Sequence, residues 1–354
     1  MKMTVAVACY NQEDKIEKCL ESVIRQDYEN LEVLIVDDHS TDNSLGVITH
    51  FSDSHPEKDI RIISHERNMG INQSRNTAID ASKGEYIFFI DGDDTIEPFA
   101  ISVLYNKTKE ADVDFVGSSF RAMDLDGRVM KVYHYPEDVM EGDFALARYI
   151  EKHVRGFAPI HMTTKLYKME FLKKNNIRCN PDLTHCDEAG VFSLQIAWRA
   201  KNIAFVNEIT YNWIQHPQSI SHQKHPNKNQ FVLAQKGLES TLDLYARLKQ
   251  NSKNVLIPDG MIYLLCYIVL TDGKLRQALY AEVTVKEKKD LLRSLKNKYA
   301  ENDIKLCNIL GIYNKLSYLI LVSPFPYSLF HFYFRHLKKV VWIVSHTKAF
   351  KINL

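Results

Sequence analysis

Six cysteines in 354 residues, none of them in a CxxC pair, leave this chain without a disulfide rhythm or a structural zinc motif. Scattered thiols of this kind suit a reduced, cytoplasmic setting. No GxGxxG follows any strand-like segment, which disfavours a dinucleotide oxidoreductase of the Rossmann type. Charge of one sign is not in excess. Lys and Arg number 45 against 44 Asp and Glu, for a formal net charge of +1, so no nucleic acid partner is expected. No apolar run reaches the roughly 20 residues of a membrane-spanning helix. The apolar stretch ahead of Asn11-Gln12-Glu13-Asp14 is too short for a signal peptide. Internal repeats and low-complexity tracts are also missing. A globular chain remains, long enough for two domains.

One stretch organises it. Tyr86 to Ile90 is a continuous apolar run with no alternation, as in a strand buried on both faces, and it breaks into Asp91-Gly92-Asp93-Asp94. Gly92 allows a tight turn, so the three carboxylates emerge together at the strand's C-terminal end, where open α/β sheets bind ligands. Clustered carboxylates repel unless a cation or a donor-rich ligand neutralises them. The segment therefore reads either as a divalent-metal site gripping a polyphosphate or as an acidic surface turn.

The rest of the N-terminal half repeats one unit. Thr4–Cys9, Leu31–Val36 and Ile60–Ser64 read as strands, each followed by a helix. The first helix buries Ile16, Leu20, Val23 and Ile24, with Asn11 as its cap. Ser40 or Asp42 caps the second, which runs to about Phe51, and the third spans about Asn72 to Ala81. Strands alternating with helices predict right-handed βαβ units and a largely parallel sheet. Three of the four strands end in groups suited to a nucleotide: Tyr10-Asn11, Asp37-Asp38 and the acidic turn. Beyond Asp94, Pro98 starts a helix with Ile101, Leu104 and Tyr105 inward, and Asp114–Ser118 is a strand. Asp126-Gly127 marks a hairpin, and residues 143–153 are helical. Thr164 through Leu172 enters a helix, and a polar loop ending in Asp187-Glu188 opens another on which Phe192, Ile196 and Trp198 are packed. Ile203–Val206 and Ile209–Ile214 are separate strands, followed by the polar loop starting at His216.

Near residue 225 the pattern turns helical, which predicts an α/β domain over 1–224 and a helical domain over 225–354. The first is expected to divide into two halves, 1–120 and 121–224. The tail Leu316 to Val344 is rich in aromatics, with Arg335, Lys338 and Lys339 nearby. It reads as a packed helical subdomain or as a helix pair on an anionic membrane surface. The second reading would place the protein peripherally on the cytoplasmic face of the inner membrane.

Taken in order, five segments resemble the inverting glycosyltransferases of family 2, which have the GT-A fold. They are Val7 to Glu13, Gln26 to Asp42, Asn68 to Asn76, Gly84 to Asp94, and Lys165 to Lys168. The resemblance is strong over residues 3–120, fair to about 222 and absent beyond. It implies an α/β GT-A fold and transfer of a sugar from a nucleotide-sugar, with UDP the implied nucleotide, to a hydroxyl of a glycan or lipid-linked glycan. The product would be a surface polysaccharide, of capsule or lipopolysaccharide type. It implies that Ala8 and Tyr10 frame the base and Asp38 binds the uridine. Asn68, Gly70 and Arg75 close over the nucleotide. Asp91 and Asp93 hold the DxD positions and with them the metal, Mn²⁺ or Mg²⁺, Asp93 as its foremost direct ligand, and Asp94 faces the sugar or stabilises the loop. Residues 1–120 would then be the nucleotide-sugar half and 121–224 the acceptor half.

The chemistry asks for the same parts. Displacing a nucleoside diphosphate builds negative charge that a divalent cation neutralises. The acceptor hydroxyl needs a carboxylate to take its proton. The family uses the Asp of a Glu-Asp pair, whereas this chain carries Asp187-Glu188, and alignment on Leu183-Thr184 assigns the base to Glu188 with Asp187 as runner-up. His216 sits where a third metal ligand or a phosphate contact is expected, although a lone loop histidine is commonly neither. Lys165 reads as a phosphate contact or as a solvated cation. A sugar nucleotidyltransferase is disfavoured because Tyr10 to Glu13 is not a Gly-rich basic loop. A non-catalytic sugar-binding protein on the same fold is supported only by the reversed acidic pair.

Overall fold

A computed structural model describes residues 1–110, 112–142, 161–181 and 188–216, with isolated positions between 145 and 293. The chain divides into two compact units, Met1–Glu282 and Val283–Leu354. The change of character expected near residue 225 falls within the first unit, where few residues are described. In the second unit, Thr284 and Glu287 form a capping box: Thr284 N donates to Glu287 at 2.8 Å and Glu287 N to Thr284 Oγ1 at 3.2 Å. The tail Leu316 to Val344 lies outside the described residues. Among the described residues, no helix is long and apolar enough to cross a membrane.

The first unit opens with the four expected strands, β1 (Met3–Cys9), β2 (Leu31–Asp37), β3 (Asp59–Ser64) and β4 (Tyr86–Asp91). They are joined by α1 (Ile16–Ile24), α2 (Ser44–Ser54) and α3 (Ile71–Ala81). Then follow β5 (Thr95–Ile96), α4 (Ala100–Glu110), β6 (Phe115–Met123), β7 (Val129–Tyr133) and β8 (Asp138–Met140). The last described elements are β9 (Lys165–Lys168), α5 (Met169–Lys174), α6 (Glu188–Arg199) and β10 (Ile203–Ile214). The sheet order is β3-β2-β1-β4-β9-β6-β10-β5, with β7 on β6 and β8 on β10. β3 to β4 are all parallel, as the alternation predicts. β9 runs antiparallel to both β4 and β6 and so joins the four parallel strands to the rest of the sheet.

Alternation along the buried strands sends residues to two cores, one on each face. Val5, Val7, Ile35, Phe88 and Ile90 meet α1, where Ile16, Cys19, Leu20 and Val23 form one apolar stripe, and α4 through Ile101 and Leu104. Ala6, Leu34, Ile87 and Phe89 meet α3 through Ala78 and Ile79, and α6 through Val191, Phe192 and Ile196. Each fully buried Leu, Ile or Phe contributes about 1.5–3 kcal/mol. This two-sided burial explains why β4 reads as an unbroken apolar run.

Several local expectations are corrected. Asn11 does not cap α1. It takes a left-handed conformation (φ 52°), donates its N–H to Ser40 Oγ at 3.0 Å and accepts from Thr41 N at 2.8 Å, so the helix begins later, after Lys15. Ser40 is thereby used between loops, and Asp42 instead accepts from the first amide of α2, Ser44, at 2.9 Å. Pro98 lies two residues ahead of α4 rather than at its start. Thr164 through Leu172 does enter a helix, α5, but by way of the strand Lys165–Lys168, which fills the slot between β4 and β6. Ile203 to Ile214 is one strand broken by irregularities near Phe205 and Ile209, which read in sequence as a gap. The Asp126-Gly127 hairpin is present, with Gly127 at φ 82°.

Candidate active site

Parallel register assembles the site. Cys9 pairs with Asp37, Ala8 with both Val36 and Asp91, and Asp37 with Ser64. The four strands therefore end level, and Tyr10, Asp38, His65 and the acidic turn leave the sheet along one edge. The first two loops are stitched together. Besides the Asn11 bonds, Gln12 N donates to Ser44 Oγ at 2.7 Å and Glu13 N to Asp42 at 3.1 Å. Tyr10 remains 41% exposed, an open aromatic face at this edge.

Asp38 is buried and accepts three hydrogen bonds. Its Oδ1 accepts from His65 Nδ1 at 2.7 Å and from Met69 N at 2.8 Å, and its Oδ2 accepts from Gly70 N at 2.7 Å. Gly70 sits at φ 85° just before α3, a backbone conformation that a side chain would strain. Asp38 thus holds the loop carrying Asn68, which is itself exposed. His65 was not singled out from the sequence, because a lone histidine after a strand carries no distinguishing signal.

The three carboxylates of the acidic turn have three different fates. Asp91 Oδ1 pairs with Arg75 at 2.9 Å, and Arg75 is buried, so this arginine compensates the turn from beneath. Asp94 is buried too, accepting from Tyr211 Oη at 2.5 Å and from Ile214 N at 2.8 Å. It stabilises the loop by tying it to β10. Among the described residues, Asp93 accepts a hydrogen bond only from its own amide, and it faces His216, whose Nε2 lies 3.9 Å from Asp93 Oδ2. That separation is too long for a hydrogen bond. Tyr211 escaped the sequence reading because it occupies an inward position of an ordinary strand.

The electrostatics follow from burial. Desolvation, and then repulsion from Asp91, raises the Asp93 carboxyl above its ordinary value, against the opposing pull of Lys15 and His216. Asp94 is held well above, by burial first and then by Asp93 and Asp91. Burial and the Lys15 charge lower His216 against the pull of Asp93. Both partners of the Asp93–His216 pair are thus pushed toward their neutral forms, and they do not make an ion pair sufficient to itself. A small cation beside them would bring the Asp93 carboxyl back down and keep His216 neutral, the form in which an imidazole ligates a metal. Among the described residues no group of three or more His, Cys, Asp or Glu is arranged to hold a metal. Two protein donors beside diphosphate oxygens and water nevertheless fit Mg²⁺ or Mn²⁺, which seldom use all-protein cages. His216 Nε2, buried and without a hydrogen-bond partner, is consistent with that fit.

Gly92 is required by space. Its φ is not in the left-handed region, but a Cβ there would lie 2.2 Å from Gln12 Oε1 and 3.0 Å from the Ala8 carbonyl. Ala8 O accepts Gly92 N at 3.0 Å, so the turn is laid directly on β1.

On the acceptor side, Asp187 lies outside the described residues, and Glu188 opens α6 with its side chain undescribed. Lys165 is buried, 1% exposed, so it is not a solvated cation. It donates to the His161 carbonyl, and burial lowers its amine to about 7. Its neighbour Thr164 is held in the left-handed region at φ 71°, strained for a β-branched residue. Ser118 N and Oγ both bond the Thr164 carbonyl, at 3.0 and 3.1 Å, and so secure that conformation.

Comparison with known proteins agrees with this geometry. The glycosyltransferase GlyA of Streptococcus pneumoniae is 31% identical over 218 residues. That match takes in 59% of this chain and 30% of GlyA, so the chain spans under a third of that relative's length. S. aureus TarS 1-349, solved in complex with UDP-GlcNAc, superposes with a TM-score of 0.62 at 20% identity, covering 84% of this chain and 80% of that one. The mannosyltransferase PcManGT of Pyrobaculum calidifontis, solved with GDP-Man and Mn²⁺, gives 0.52 at 15% identity, covering 90% and 85%. The shared fold is the GT-A architecture. The description "Glycosyl transferase family 2" matches residues 4–174, from the start of β1 through α5, and this segment of the chain is a glycosyl transferase family 2 domain.

Proposed function

We propose that the protein is an inverting glycosyltransferase that moves a sugar from a UDP-sugar, with a divalent cation, to a hydroxyl of a glycan or lipid-linked glycan. The observation that carries this reading is the sorting of the acidic turn. Arg75 takes Asp91, and Tyr211 with Ile214 takes Asp94, so Asp93 is left facing His216. The complexes of TarS with UDP-GlcNAc and of PcManGT with GDP-Man and Mn²⁺ support a nucleotide-sugar and a metal at this fold.

In this reading Tyr10 stacks on the base, Ala8 frames it and Asp38 accepts from it. Asn68, with Gly70 at its base, closes over the nucleotide, and Arg75 holds Asp91 in place beneath the diphosphate. Asp93 and His216 hold the cation, which supplies neutralisation of the leaving diphosphate. Glu188, at the start of α6, takes the proton of the acceptor hydroxyl, with Asp187 as the alternative base. One displacement with the base opposite the leaving group inverts the anomeric carbon.

The test is release of UDP from a panel of UDP-sugars with Mn²⁺, with and without chelator. Metal-dependent release that Asp93→Ala abolishes is expected, and robust turnover by that variant sinks the metal assignment. Glu188→Gln should lose transfer while still binding UDP. If Asp187→Asn is the dead variant, the base is Asp187. Absence of any release, with UDP still bound, would favour a non-catalytic sugar-binding protein.

A further inference from the structure

We propose that His65 is a positioning residue that sets the base selectivity of the nucleotide pocket, making it accept uracil in preference to other bases. The proposal rests on the reading of Asp38 as the base acceptor. The fold itself does not decide the base, since TarS is solved with a uridine nucleotide and PcManGT with a guanosine one.

The argument is a count of lone pairs. An ionised carboxylate offers about four acceptor sites. In Asp38, Oδ1 is filled twice, by His65 Nδ1 and Met69 N, and Oδ2 once, by Gly70 N. One acceptor site is left, on Oδ2. Uracil presents a single ring N–H donor on its pairing edge. Cytosine presents its ring nitrogen there as an acceptor, which repels the carboxylate, and only its exocyclic amine, set to one side of that edge, can donate. Guanine presents two adjacent donors that would need a second free site.

His65 sets this count, and it is held from both sides. With Nδ1–H given to Asp38, Nε2 hydrogen-bonds Thr77 Oγ1 on α3 at 3.0 Å. The histidine side chain is 8% exposed and its backbone N–H is fixed to the Asp37 carbonyl at 2.9 Å. Flipping the ring would break both side-chain bonds. The relay Thr77–His65–Asp38 therefore fixes the carboxylate plane and keeps Oδ1 closed to a ligand. Without His65, Oδ1 regains a free site and the carboxylate can rotate.

The experiment is calorimetric titration of UDP and CDP, each with Mn²⁺, into the full chain and its variants. The wild type should bind UDP about tenfold or more tightly than CDP, the scale of one hydrogen bond to a charged group. His65→Leu should weaken UDP and shrink the UDP:CDP ratio severalfold, whereas His65→Gln, which keeps an N–H toward Asp38, should restore much of it. Thr77→Val should move the ratio the same way by less, and it carries the test if His65→Leu does not fold. A purely structural role for His65 would lower both affinities together and leave the ratio unmoved, which would overturn the proposal. Asp38→Asn separates the two levels. If it leaves the ratio unchanged, the reading of Asp38 fails and the proposal falls with it. If it collapses the ratio while the His65 and Thr77 variants do not, only the role of His65 is refuted.

Discussion

Tyr211 Oη donates to Asp94 Oδ2 at 2.5 Å across 117 residues of sequence, and the same hydroxyl lies 3.4 Å from Asp91 N. One phenol on β10 thus holds both ends of the acidic turn and, through the strand that follows, places His216 beside Asp93. Tyr211→Phe keeps the ring but leaves a buried carboxylate short of a donor. The expected cost is about 1–3 kcal/mol in chemical denaturation. Mn²⁺-induced thermal stabilisation should shrink as well, because the turn loses its anchor.

Arg75 and Asp91 make a second brace under the turn. Arg75 is 4% exposed while the Asp91 side chain is 31% exposed, so solvent screens one partner only. Arg75→Met should destabilise the fold by about 1–3 kcal/mol. It should also weaken UDP binding more than Asp91→Asn does, since it leaves three carboxylates uncompensated. Equal effects of the two variants in calorimetry would argue that the arginine does no more than pair with Asp91.

Gly92→Ala tests whether space, and not backbone freedom, demands glycine. The added methyl meets the Gln12 side chain at 2.2 Å and the Ala8 carbonyl at 3.0 Å. A loss of about 1–3 kcal/mol is expected from overpacking. Gln12→Ala in the same chain should recover part of it, because the flexible amide is the nearer clash. No recovery would assign the cost to the two remaining contacts, Ile16 Cδ1 at 2.9 Å and the Ala8 carbonyl at 3.0 Å.

Lys165 predicts a pH signature. Its amine is lowered by burial from 10.5 to about 7, so between those values the unfolded chain carries a proton that the folded chain does not. Its contribution to stability is therefore present above the unfolded value and is lost as pH falls toward about 7, with a slope near 1.4 kcal/mol per pH unit. Lys165→Met should remove that slope. Denaturation midpoints measured from pH 7 to 10 should converge for the two proteins at the alkaline end. Parallel curves would show the amine charged in the folded protein.

Local and periodic features were legible without coordinates. The apolar runs of β1, β2 and β4 and the stripe of Ile16, Leu20 and Val23 announce βαβ units because burial imposes their spacing. Strand ends follow from them, so the convergence of Tyr10, Asp38 and the acidic turn on one edge was also within reach. Helix starts were less so. Asn11 and Ser40 have the chemistry of caps, but each found a partner in the neighbouring loop, a competition that local sequence does not reveal. The strand Lys165–Lys168 likewise looks helical until the gap between β4 and β6 is there to fill.

That three carboxylates leave a buried strand together follows from the order of residues alone, because the apolar run from Tyr86 to Ile90 carries no charged residue at which to stop sooner. Which of them is free was decided only in three dimensions. Arg75, Tyr211 and His216 reach the turn from α3, from β10 and from the residues just after β10, as many as 123 residues away. Their partners are chosen by packing distance, and nothing in the spacing of Asp91, Asp93 and Asp94 distinguishes one carboxylate from another.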